Sequence, residues 1–346
     1  GQGAQYPGMA ADLYNHHRGF AAALDECDQA LQPYTGWSVR EVITQHHNAP
    51  SLDRVDVVQP VLFAVMVALA ETLRGYGITA DAVIGHSQGE IAAAYIAGAL
   101  SLPEAAKIVA LRSAALAQLA ATGTMASVLL DADTVAHQLH HHSELSIAAI
   151  NGPAQTVISG PTHAIEQFLA SCEHQGIQAR PISVDYASHC AHVEPLRHDL
   201  LDNLAGLHPQ SAHTPLYSTV PSAASPYPLD TTTMDADYWY ANLRQPVHFY
   251  DTVTSLLAQG PHLFVELAAH PVLATALSDT LADHPHQQHS AVIPTLRRDR
   301  PDLDMIAHTL AQLHTHGHSP HWRDLYPHAH TVDLPTYPFQ HHRYWL

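Results

Sequence analysis

The chain has 346 residues, 46% of them hydrophobic, enough to bury one large core or two. It carries 32 acidic residues against 14 basic ones, and its formal charge of −18 at pH 7 excludes a nucleic-acid surface, which needs basic groups to displace phosphate counterions. Cys27, Cys172 and Cys190 are too few and too scattered for a disulfide framework or a zinc site, so a reducing, cytoplasmic setting is expected.

The chain opens at Gly1 with no methionine and no signal-like segment, which reads as a piece of something longer. Residues 55–73 read as a strand end followed by an apolar helix with Pro60 in its first turn. Residues 81–85 are predicted as a short buried strand, 88–99 as a helix, and 103–121 as another helix started by Pro103. The most apolar stretch, residues 91–102, is too short to cross a bilayer, so no membrane span is expected.

Between 124 and 186 the pattern changes. Strands are predicted at 125–130, 145–150, 156–159 and 180–184, with helices at 134–141 and 162–174 and an Asn151-Gly152-Pro153 hairpin signal. The order β-α-β-β-α-β is that of a ferredoxin-like unit inserted in a larger α/β body. Residues 208–235 read as ordered loop, 262–267 as a core strand and 303–316 as a helix. The proline- and aromatic-rich tail reads as an extended surface strip. The expected division is therefore 1–123 with 187–290 as the large subdomain, 124–186 as the small one, and 291–346 as a C-terminal helix and strip.

Gly85-His86-Ser87-Gln88-Gly89 matches Gly-x-Ser-x-Gly between a predicted strand and a predicted helix. There the turn pushes the Ser87 hydroxyl clear of the backbone and aims the Gln88 N–H, at a helix N-terminus, at a developing oxyanion. The motif does not identify a base among 31 histidines. In the usual chain order of serine hydrolases the histidine comes late, which favours His270 over His189. The runs His140-His141-His142, His284-Pro285-His286 and His314–His318 lie in polar or loop-like segments; they read as surface histidine, and no metal is expected.

Four motifs carry a resemblance: Gly1-Gln2-Gly3-Ala4-Gln5, Gly85-His86-Ser87-Gln88-Gly89, Tyr186-Ala187-Ser188-His189, and Leu334-Pro335-Thr336-Tyr337-Pro338-Phe339-Gln340. In this order, across essentially the whole chain, they resemble the acyltransferase domain of a modular type I polyketide synthase. The resemblance implies an α/β-hydrolase-like core with an inserted ferredoxin-like (βαββαβ) subdomain. It makes Ser87 the nucleophile and His189 its base, with Gln2 and the Gln88 N–H as oxyanion hole. Arg112 would grip the free carboxylate of a malonyl-type substrate, a task suited to a planar guanidinium. The backbone carbonyl of Asn242 would orient the histidine in place of an aspartate.

Tyr186-Ala187-Ser188-His189 is similar to the methylmalonyl-selective type, Ser188 leaving room for a methyl branch where the malonyl type has phenylalanine. Gln88 and Arg54-Val55-Asp56-Val57-Val58-Gln59-Pro60 point the same way. One methyl is worth only roughly 1–3 kcal/mol, so malonyl-CoA is the competing substrate. The implied reaction moves methylmalonyl from its CoA thioester to the phosphopantetheine of an acyl carrier protein, with no resident cofactor. The implied neighbours are the ketosynthase and reductive domains of a larger synthase. A thioesterase-like serine hydrolase or a non-catalytic spacer domain are the rival functions.

Overall fold

The computed structural model describes residues 2–223, 227–282, 284–330, 332–338 and 341–346. Gly1, Phe339 and Gln340, which belong to the quoted motifs, lie outside the described residues. Eight short strands occur among those described: β1 Val83–Ile84, β2 Gly123–Val128, β3 Ser146–Gly152, β4 Gln155–Pro161, β5 Ala179–Ile182, β6 Leu216–Tyr217, β7 Leu263–Glu266 and β8 Ala291–Pro294.

The helices Arg18–Thr35, Val55–Gly75 and Leu102–Ala117 pack on one another and supply most of the main core. Sixteen of the 21 residues of Val55–Gly75 are buried. This helix corrects two expectations. No strand precedes it, because Val55, Val57 and Val58 are already helical and covered, and burial overrides the β-preference of branched side chains. It is also a longer apolar stretch than residues 91–102. With mean hydropathy 1.7 it is long and apolar enough to span a membrane, yet 83% of that stretch is buried inside the protein. Leu102–Ala117 begins with a reciprocal cap in which Ser101 Oγ accepts the Glu104 N–H and Glu104 accepts the Ser101 N–H.

The strand predicted at 81–85 shrinks to β1, which is half-buried and pairs in parallel with β6, Val83 opposite Leu216. β6 lies in the segment read as loop; two residues are too few to show a periodicity. A second parallel pair joins β7 to β8. β8 and the helix Asp302–Thr315 belong to the body rather than to a trailing strip, since Leu296, Ile306 and Leu310 are fully or nearly buried in the main core. Only the last residues lie open, with Leu334 and Tyr337 exposed.

β2, β3, β4 and β5 form one antiparallel sheet in the order β3-β4-β2-β5, with the helices Ala132–Leu139 and Thr162–His174 alternating in the chain as β-α-β-β-α-β. One face closes over Ala126, Val128, Ile158 and Phe168. The other packs on Val247, Phe249 and Leu277 of the larger body. Two backbone bonds, Ile150 N–H to Val247 O and Val247 N–H to Ala148 O (both 2.9 Å), sew β3 to that body. The whole is an α/β fold with a ferredoxin-like insert.

Gly85 ends β1 where the next helix crosses it. A Cβ there would lie 2.0 Å from the Glu90 Cα, a backbone atom that cannot swing aside. Gly85→Ala is expected to destabilise the protein by at least about 2 kcal/mol, read as a lower urea midpoint with an unchanged slope. An unchanged midpoint would contradict this packing.

Candidate active site

Ser87 occupies the turn between β1 and the helix Gly89–Ile96 at φ 53°, a left-handed conformation that an L side chain adopts only under constraint. The constraint comes from hydrogen bonds below the turn. The Ser87 carbonyl accepts the Glu90 N–H (3.0 Å) and Asn242 Nδ2 (3.3 Å). Thr219 Oγ1 donates to the Gly85 carbonyl (2.9 Å). The Glu90 carboxyl, fully buried, takes donors from Tyr238 Oη, Thr219 Oγ1 (3.1 Å) and Asn242 Nδ2 (3.2 Å). Burial pushes its pKa up, against the pull of those hydrogen bonds. On the other side His86 Nε2 bonds Asn151 Oδ1 of β3 (2.7 Å), and burial lowers its pKa to about 4.

His189, at φ 59° and 3% exposed, comes to the serine from a loop after β5. Its Nε2 lies 2.8 Å from Ser87 Oγ, and its Nδ1 lies 2.8 Å from the backbone carbonyl of Gln245. A carbonyl only accepts, so Nδ1 carries the proton and Nε2 offers its lone pair to the serine hydroxyl. This corrects the sequence reading: the orienting carbonyl is that of Gln245, not Asn242. Asn242 lies inside the helix Ala236–Arg244, where its side chain braces Ser87 O and Glu90, whereas Gln245 follows the helix with extended backbone and turns its carbonyl to the imidazole. His270 does not join the site; its Nδ1 accepts the Arg298 N–H.

Arg112 projects from Leu102–Ala117 and is 1% exposed. Its Nη2 lies 3.3 Å from Ser87 Oγ, and its Nη1 donates to Gln59 Oε1 (2.9 Å). Its Nε has no partner, and no carboxylate pairs with it among the described residues. Burial lowers its pKa to about 10, which leaves it charged at neutral pH. Gln59 Nε2 donates to Tyr186 Oη (3.1 Å), whose hydroxyl donates to Gln2 Oε1 (2.5 Å). One hydrogen-bonded chain thus runs Gln2, Tyr186, Gln59, Arg112, Ser87, His189. Gln59 escaped notice as a site residue because it sits in an otherwise apolar helix, although it lies within the Arg54–Pro60 motif.

Gln88 is 1% exposed and both polar atoms of its side chain lack partners. Its backbone N–H precedes the helix and has no intrahelical acceptor. Ser188, 5% exposed, places Oγ 3.7 Å from Met125 Sδ. Among the described residues no group of three or more His, Cys, Asp or Glu converges as a metal site. The assembled chemistry is a hydroxyl facing an unprotonated imidazole nitrogen, one free backbone N–H at a helix start, and a buried cation without a counter-ion among the described residues.

The family described as "Acyl transferase domain" matches residues 1–320. Polyketide synthase GfsA of Streptomyces halstedii is 47% identical over all of this chain, which spans 5% of that protein. Erythronolide synthase EryA2 of Saccharopolyspora erythraea is 44% identical over all of the chain, which spans 10% of it. Among solved structures, the acyltransferase domain from module 8 of the salinomycin polyketide synthase is 46% identical with a TM-score of 0.89, covering 93% of this chain and 75% of that one. FabD from Acinetobacter baumannii, 26% identical, gives a TM-score of 0.75 over 90% of this chain and 96% of that one.

Burial first, and the nearby Arg112 charge second, lower the His189 pKa to about 3. A histidine so depressed stays neutral as pH falls through 6.5, where an ordinary one charges. Nitrogen NMR of labelled protein is expected to find His189 neutral at pH 5.5 while exposed histidines are protonated. A titration near 6.5 would contradict the enclosure described.

Proposed function

The chain belongs to the acyl transferase domain family, and from that premise we propose that it loads a methylmalonyl extender unit from methylmalonyl-CoA onto the phosphopantetheine arm of an acyl carrier protein. It would do so in the cytoplasm, as one domain beside the ketosynthase and reductive domains of a modular synthase. The ferredoxin-like insert, residues 124–186, is proposed as a subdomain that walls the site opposite the large one.

The observation that carries the reading is Arg112, a charged guanidinium removed from water without an acid to pair it. An unpaired buried charge is costly, so its retention 3.3 Å from a nucleophile argues for a ligand that supplies the missing carboxylate. The free carboxylate of a malonyl-type acyl group fits that need and the bidentate geometry of the guanidinium.

In the first half-reaction Ser87 Oγ attacks the thioester carbon as His189 Nε2 takes the hydroxyl proton. The oxyanion rests on the Gln88 N–H and the Gln2 side-chain NH2, whose Oε1 is already engaged by Tyr186. The C–S bond breaks and His189 returns the proton to the departing CoA thiolate. In the second half the phosphopantetheine thiol attacks the acyl-serine, His189 takes the thiol proton, and Ser87 leaves with it. Burial is the main cause that depresses His189 and Arg112 the second; the substrate carboxylate offsets the second alone.

The methyl selectivity rests on the small Ser188 of the Tyr186–His189 motif, whose neighbour Tyr186 is linked through Gln59 to the carboxylate anchor Arg112. Intact-mass analysis in a mixture of malonyl-CoA and methylmalonyl-CoA is expected to give a methylmalonyl adduct that Ser87→Ala abolishes. Arg112→Ala is expected to transfer at least about a hundredfold more slowly and to raise the ratio of hydrolysis to transfer. A malonyl adduct would overturn the methyl selectivity, and a Ser87→Ala protein that still labels would overturn the nucleophile.

A further inference from the structure

The charge of this chain is unevenly placed. Acidic residues outnumber basic ones by more than two to one, and four surface arginines, Arg54, Arg74, Arg197 and Arg244, are tied to carboxylates. Arg18, Arg40, Arg180, Arg323 and Arg343 are exposed one at a time elsewhere, whereas the turn after β8 gathers three arginines within four residues. Arg297, Arg298 and Arg300 are all exposed, and none forms an ion pair among the described residues. Two acids lie nearby. Asp299 is in the turn itself, and Asp302 is 5% exposed and turned inward toward the Leu13 N–H.

One member of the turn, Arg298, touches two residues that line a cleft of about 620 Å³. Arg298 Nη2 donates to the Gln5 carbonyl (3.1 Å), and its guanidinium lies 5.3 Å from the Tyr6 ring centre. Gln5 and Tyr6 line the cleft, as does Gln2, the first member of the hydrogen-bonded chain that ends at Ser87. The lining also includes Asp53 and Asp185 with neutral Ser51, Leu52 and Val184. Three arginines thus gather beside a cleft whose own lining holds no lysine or arginine.

Building on the transferase reading, we propose that the Arg297–Arg300 turn is the subsite for the phosphate of a phosphopantetheine arm, whose neutral amide-bearing chain lies in the cleft on its way to Ser87. The acidic residues of the lining keep a phosphate from sliding inward, and the arginines hold it by charge-assisted hydrogen bonds. CoA and a carrier protein present the same phosphate, so one subsite serves the donor and the acceptor in turn.

The test is the double variant Arg297→Glu/Arg300→Glu, with Arg298 kept because it packs on Tyr6. Acyl-Ser87 formation is followed by intact mass from methylmalonyl-CoA and from methylmalonyl-pantetheine, which lacks phosphate, and transfer is followed to a phosphopantetheinylated carrier protein. The expected result is a loss of about tenfold or more in kcat/KM with both CoA and carrier, and no change with the pantetheine thioester, which also certifies the fold. Unchanged CoA and carrier rates would overturn the subsite. So would a loss with the carrier alone, which would assign the turn to the protein surface rather than to phosphate. An equal loss with all three would also overturn it. Absence of any acyl-Ser87 in the unsubstituted protein would instead overturn the transferase reading beneath it.

Discussion

The guanidinium of Arg112 is held away from water beside Ser87 with no carboxylate among the described residues to balance it, and most of the site is arranged around that imbalance. The helix Leu102–Ala117 fixes its backbone, Gln59 takes one of its nitrogens, and the Ser87 hydroxyl faces another. A charge in this position destabilises the empty protein and depresses the neighbouring imidazole. An anionic acyl group would balance that charge and so offset the part of the imidazole's depression that Arg112 adds to burial.

The nucleophile depends on a second buried arrangement. Ser87 stays in a left-handed conformation because its carbonyl and that of Gly85 are held from below by Asn242, Thr219 and the Glu90 helix turn. His86 ties the same turn to Asn151 of the inserted sheet. Removing the Asn242 amide would loosen the elbow without touching substrate, whereas the Gln245 carbonyl, a backbone group, fixes the imidazole tautomer whatever its side chain.

Much of this was legible in the sequence where local chemistry decides structure. Gly85 is demanded by the approach of Glu90, so the strand-turn-helix motif announces itself. The hairpin signal and alternating helices revealed the order of the insert, although the turn itself falls on Pro153-Ala154 with Asn151 and Gly152 still in β3. The helix Thr162–His174 has the expected bounds without a side-chain cap at its start. What stayed hidden belongs to long-range contact. Nothing in the local pattern of Gln59 distinguishes it from a core residue, and a carbonyl such as that of Gln245 leaves no mark in the sequence. The Asn242 assignment failed for that reason. The valines at the start of Val55–Gly75 suggested a strand because β-branched residues favour one in isolation, but this helix is covered on nearly every side. β1 was expected but longer, whereas β6, its partner in a two-residue ladder, shows no pattern until both segments are in place.

The most direct measurement of the central claim compares single-turnover acylation of Ser87 by methylmalonyl-CoA and by propionyl-CoA, which differ only in the carboxylate that Arg112 is held to receive. The account expects propionyl-CoA to acylate at least about a hundredfold more slowly, and Arg112→Ala to erase most of that difference. Equal rates in the unsubstituted protein would contradict it, because the buried cation would then contribute nothing to choosing or positioning the acyl group.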